Sequence, residues 1–165
     1  MLTDQVSFYD GYIINFGVVF DVIAHQYENK DDVKVRCIQV IKDYFTIDKM
    51  QFKQILYTND IENILMDVDG VRAVNYVTLT QDSDYNSDCG GTHTNIFTPP
   101  LYSKSINSDG TETISTGNDG YGYYYDFSEF YGTDNVAGKG IILPAYEPAV
   151  FELKNPNRNI KGIVR

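Results

Sequence analysis

Asp82, Asp84, Asn86 and Asp88 alternate along the chain as the first ligands of a calcium loop do, since a hard cation draws oxygen ligands from every second residue of a tight loop. The pattern then departs from an EF-hand. Ser87 stands where the sharp turn needs glycine, and His93 where a bidentate glutamate should close the shell. A looser cation loop and a plain solvated acidic loop both stay open. His25 and His93 are the only histidines, and neither has a His, Cys or Glu partner at ligand spacing. Cys37 recurs with apolar residues at helical spacing, which suits packing rather than nucleophilic attack, and Cys89 lies far from it. No disulfide framework is therefore expected. The chain holds no G-x-S-x-G, no P-loop, no H-E-x-x-H, and no G-x-G-x-x-G after a strand. The expectation is a chain with no catalytic constellation, no cofactor and no metal centre.

The most distinctive residues are aromatic. Tyr121, Tyr123, Tyr124, Tyr125, Phe127, Phe130 and Tyr131 crowd into one short stretch. In a strand, alternate members face opposite sides, so one face could enter a core and leave Tyr124 and Tyr131 for a partner. Tyrosine suits such surfaces because it supplies much contact area at small entropic cost. The opposing reading has both faces covered by the insertion itself. A sugar-binding platform is a further alternative, weakened by the absence of tryptophan.

The elements that must position these residues are clearest in the first half. Residues 12–23 (YIINFGVVFDVI) form a β-branched and aromatic run, which predicts a buried or half-buried strand. Val33, Cys37, Ile38, Ile41, Tyr44 and Phe45 recur at helical spacing behind Asp31 and Asp32, two acids suited to a helix N-terminus. Residues 50–57 predict a short strand. Asn59 and Glu62 form a capping-box-like start for a helix with Ile61, Ile64, Leu65 and Val68 on one face, ending at Gly70. Residues 71–80 predict another strand. The order β-α-β-α-β implies an α+β fold with two helices on one face of a small sheet. Those strands, 12–23, 51–57 and 71–80, are expected to bury Val33, Cys37, Ile41, Phe45, Ile61, Ile64, Leu65 and Val68. Short strands are expected again at 121–132, 140–144, 150–154 and 159–164, with a turn at Asn155-Pro156-Asn157.

Composition divides the 165 residues in three. Residues 1–81 carry seven basic and 12 acidic groups, residues 82–135 one and nine, and residues 136–165 five and two. Nine of the 13 glycines fall between Gly90 and Gly140. The expected organisation is an α+β core over 1–81, a polar acidic insertion over 82–120, and a C-terminal β segment over 121–165 that packs on or extends the core. A net charge of −10 argues against nucleic acid or an anionic membrane surface as partner. No apolar run approaches the roughly 20 residues of a membrane span, and MLTDQVSFYD shows no signal-peptide pattern.

Three segments carry a family resemblance. The first is residues 38–74, where a helix closes on Tyr44-Phe45, a short strand follows, Thr58-Asn59-Asp60-Ile61 opens a second helix, and Val68-Asp69-Gly70-Val71 leads into a strand. The second is Tyr125-Asp126-Phe127 followed by Gly138-Lys139-Gly140-Ile141-Ile142-Leu143-Pro144, and the third is residues 148–164, PAVFELKNPNRNIKGIV. Together they resemble the C-terminal domain of phage baseplate wedge proteins, including the baseplate J-like family of contractile tails and the larger wedge subunit of T-even-like phages. The resemblance covers about two-thirds of the chain and omits residues 82–120. Members of that family are much longer, so it implies a terminal domain of a larger protein.

What the resemblance implies is a structural role without catalysis. Such a subunit cross-links neighbouring copies and other baseplate subunits in the virion tail, after assembly in the host cytoplasm. A homo-oligomeric dimer or ring contact is expected. The rival reading is a host- or glycan-binding module built on the Tyr-rich segment and the acidic loop. Exposed strand edges with apolar side chains invite pairing, so the interface is expected at Tyr121, Tyr124, Phe130, Tyr131, Phe151, Leu153, Ile160 and Ile163.

Overall fold

A computed structural model describes residues 6–8, 11–80, 103–115, 125, 127, 140–143 and 148–165. Their order is β1 (Tyr12–Asn15), β2 (Gly17–Ala24), α1 (Lys30–Tyr44), a 3-10 turn (Ile47–Lys49), β3 (Leu56–Tyr57), α2 (Thr58–Met66), β4 (Val71–Thr80), β5 (Ser103–Ile106), β6 (Glu112–Ser115), β7 (Ile141–Ile142), β8 (Ala149–Glu152), α3 (Pro156–Asn159) and β9 (Ile160–Val164). The fold is a small α+β domain.

Its centre is a three-stranded sheet in the order β4-β2-β9. β2 runs antiparallel to β4, with Gly17 opposite Thr80, and parallel to β9, with Val18 opposite Ile160. A middle strand has both edges paired, and seven of the eight β2 residues are buried. That explains its continuous apolar run, in place of the alternation of a half-exposed strand. α1 and α2 touch each other, α1 also meets β9, and α2 meets β4, so both lie over this sheet. Asn29 caps α1, its Oδ1 accepting from the Asp31 N–H at 3.0 Å, with Asp31 and Asp32 in the first turn. The helix then buries Val33, Cys37 and Ile41. Of the eight core residues expected on the helices, seven are buried and Ile64 is partly buried against them.

The second strand of the expected sheet is where the structure differs. Only Leu56–Tyr57 of residues 50–57 is strand, and it pairs with Ile141–Ile142 rather than with the central sheet. Lys53 holds a positive φ of 58°, and the Gln51 N–H folds back onto Gln54 Oε1 at 2.9 Å, so this segment is a turn rather than a strand. The third place in the sheet belongs to β9, from the far end of the chain. The run at 12–23 divides at Phe16. β1 leaves the central sheet and pairs in parallel with β8, Tyr12 opposite Ala149.

Three smaller corrections concern ends and turns. The capping-box reading of Asn59 gives way to a helix that starts at Thr58 without a side-chain cap, its first N–H satisfied by the Gly140 carbonyl at 2.7 Å. α2 ends at Met66, four residues before Gly70. The expected turn at 155–157 is the short helix α3, entered through Asn155 in the left-handed region. β5 and β6 form an antiparallel hairpin, its turn closed by the Asn107 N–H to the Thr111 carbonyl at 2.8 Å.

Candidate interaction surface

The residues expected at an interface separate into three groups. Tyr121, Tyr124, Phe130 and Tyr131 lie outside the described residues. Phe151, Leu153 and Ile160 are buried, at 2%, 8% and 4% exposure, so their assignment to a partner contact is corrected. β8 pairs on one side with β1 and β9 on one side with β2, and the apolar side chains of Phe151, Leu153 and Ile160 fill this chain's own core. Ile163 alone stays partly exposed.

The aromatic segment contributes to that same core. Tyr125 and Phe127 are buried, and neither lies in a strand. Their rings meet edge to face at 4.7 Å between centroids, and Tyr125 meets Phe151 at 5.4 Å in the same manner. Phe16 joins them, 6.1 Å from Phe151 and 5.0 Å from Phe45. Such edge-to-face pairs set positive ring edges against negative ring faces. The Tyr125 hydroxyl donates to the Leu143 carbonyl, which satisfies its polar end inside the core. Their burial against Phe16 and Phe151 fits the reading in which one face of the segment enters the core, and Tyr124 and Tyr131, left to a partner in that reading, lie outside the described residues.

Exposed apolar side chains include Val6, Phe8, Tyr27, Val35, Ile47 and Met66, and a further set sits on and beside the two small ladders. In the β3–β7 pair, Leu56 and Ile142 face inward. The period-two alternation turns Tyr57 and Ile141 the other way, and Ile55 and Leu143 flank the ladder at one end, both substantially exposed. In the β1–β8 pair, Tyr12 and Ile13 are exposed, while Phe52 is exposed on the preceding turn that reaches β8 through the Lys53 N–H to the Ala149 carbonyl. Sequence reasoning missed these residues because β3 is two residues long and its partner lies more than 80 positions away. The only local signal was the apolar pair Ile141-Ile142 in the segment GIILP, which has no legible face without its partner.

Chemistry-bearing groups are scattered by comparison. Among the described residues no group of three or more His, Cys, Asp or Glu side chains could hold a metal ion. The Asp82–Asp88 loop, His93 and Cys89 lie outside the described residues, and His25 is exposed in the turn after β2. Cys37 is a buried free thiol, its pKa pushed up to about 11 chiefly by burial, with Arg36 pulling weakly the other way. A thiol so held is protonated at neutral pH and is a packing group. Arg36 bridges Glu28 and Asp69, each at 3.3 Å, and so ties the β2–α1 loop to the α2–β4 turn at the surface. A polar depression is lined by Asn155, Pro156, Asn157 and Arg158. Among the described residues no helix is long and apolar enough to cross a membrane.

No family model matches the chain, and no curated protein matches it.

Proposed function

We propose that this chain is a structural component of a contractile phage tail baseplate, cross-linking neighbouring wedge subunits through protein–protein contacts and catalysing no reaction. The resemblance of residues 38–74, 125–127 with 138–144, and 148–164 to baseplate wedge proteins supports this reading. The observation that carries it is the exposed apolar set at Ile55, Tyr57 and Leu143, joined by Tyr12, Ile13 and Phe52. Apolar side chains gathered on strand ladders are the kind of surface that a subunit contact covers. The partners are other baseplate subunits or further copies of this chain in the virion tail, and a specific contact should bury at least about 1,000 Å² in total.

The test is to mix the purified chain with the other wedge subunits of its tail and measure mass by light scattering. A stable complex of defined stoichiometry supports the reading. A chain that stays apart from every wedge subunit, and instead retains host-surface polysaccharide on a column, overturns it in favour of a glycan-binding module.

A further inference from the structure

β9 is attached to the central sheet along one edge only, and one of its contacts is to a buried charge. Asp21 sits in the middle of β2 with its side chain 3% exposed. From β4, the Asn75 amide donates to its Oδ1 at 3.1 Å. From the end of β9, Arg165 Nε reaches Oδ2 at 2.9 Å and Oδ1 at 3.3 Å. Arg165 is the only cationic side chain bonded to this carboxylate among the described residues. Its backbone extends the pairing: the Arg165 N–H donates to Val22, and its carbonyl accepts from Ala24, at 2.9 and 2.8 Å.

β9 also meets α1, and its ladder is the shorter of the two on β2. Five residues pair with β2, and only Ile160 among them is buried, whereas β4 pairs with β2 at eight positions. Gly162 lies opposite Phe20, whose ring passes so close that a Cβ built at Gly162 would stand 2.0 Å from its Cζ. Phe20 is fully buried, so its ring would have to shift within the core to admit a side chain at Gly162. The strand therefore seats only because this position has no side chain.

We propose that Ile160–Arg165 is a strap that opens and closes as a unit on the edge of β2, seated by Gly162 and latched by the Asp21–Arg165 pair. Closing the strap and neutralising the buried carboxylate are one event, because the same residue ends the strand and carries the guanidinium. Most of the Arg165 side chain remains in solvent, at 62% exposure, so the latch is reachable from outside. Opening bares the edge of β2 along Val18–Val22, the part of the sheet then able to accept another strand. This inference does not depend on the baseplate reading.

Hydrogen exchange followed by mass spectrometry on the whole chain tests it, with wild type, Arg165→Ala, Asp21→Asn/Arg165→Ala and Gly162→Ala compared. Removing one partner of a buried pair leaves its charge uncompensated, so Arg165→Ala should speed exchange of residues 160–165 by at least about tenfold. Exchange in 71–80 and in both helices should stay at wild-type rates, since a local opening leaves the remaining structure protected. Asp21→Asn/Arg165→Ala, which has no buried charge to strand, should return 160–165 to within about threefold of wild type. Gly162→Ala should expose the strap as Arg165→Ala does. The proposal is overturned if 160–165 keeps its protection in either single variant, if 71–80 and the helices lose protection equally, or if the double variant is as open as Arg165→Ala.

Discussion

The Gly140 carbonyl accepts the Thr58 backbone N–H at 2.7 Å, and the Thr58 hydroxyl reaches the same oxygen at 3.3 Å across 82 positions of sequence. This contact supplies the cap that α2 lacks from its own side chains, and it sets β7 alongside β3. The exposed apolar ladder and the start of the second helix are therefore built by one contact. Gly140 makes it with φ at +107° and no room for a side chain, since a Cβ would lie 2.6 Å from Thr58 Oγ1.

Gly140→Ala is expected to cost about 2 kcal/mol or more, because the left-handed backbone and the Thr58 contact both oppose the added methyl. Thr58→Ala keeps the backbone bond and removes the longer hydroxyl bond with one buried methyl, and should cost about 1–2 kcal/mol. Denaturant unfolding of both variants checks the ranking. Equal stability of Gly140→Ala and wild type would contradict the role given to this carbonyl.

Phe151→Ala should destabilise the chain by about 3–5 kcal/mol, the cost of removing a buried aromatic ring. Phe151 packs against Phe16, Tyr125 and Phe127. A variant that unfolds like wild type yet fails to assemble would return Phe151 to the interface.

How much of this arrangement could be read in advance depended on how local its cause was. Val33, Cys37 and Ile41 recur on one helical face, and residues 71–80 form a run rich in Val and Thr that starts directly after Gly70, so these elements were legible with no knowledge of their partners. The place of β9 beside β2 was not, because parallel pairing between Val18 and Ile160 leaves no mark in either segment alone. The same limit misdirected the site. Phe151, Leu153 and Ile160 read as apolar strand residues in need of cover, and their cover is β1, β2 and the aromatic core of this chain. Residues 51–57 read as strand from composition, while the positive φ of Lys53 depends on contacts that composition does not encode.

Burial raises the Cys37 thiol from 9.0 to about 11, so the folded chain keeps this proton where the unfolded chain releases it. The resulting contribution to stability is complete below pH 9 and is lost as pH rises toward about 11. Tyr44, raised by burial and by Asp60, titrates in the same direction and is shared by any Cys37 variant. Urea midpoints of wild type and Cys37→Ala, measured from pH 8 upward, should converge through this window. Parallel curves would show that Cys37 carries no such linkage. Alkylation mapped to the Cys37 peptide should likewise be slow until the chain unfolds.

The proposed subunit contact on the outward face of the β3–β7 ladder is tested most directly by the assembled mass of Tyr57→Asp/Leu143→Asp. Both positions are exposed, so the melting temperature should stay close to that of wild type. A carboxylate placed in a desolvated contact costs several kcal/mol without a partner charge, so the complex with the wedge subunits should fall to its separate components. A double variant that keeps both its melting temperature and its full assembled mass would place the contact elsewhere and contradict the account.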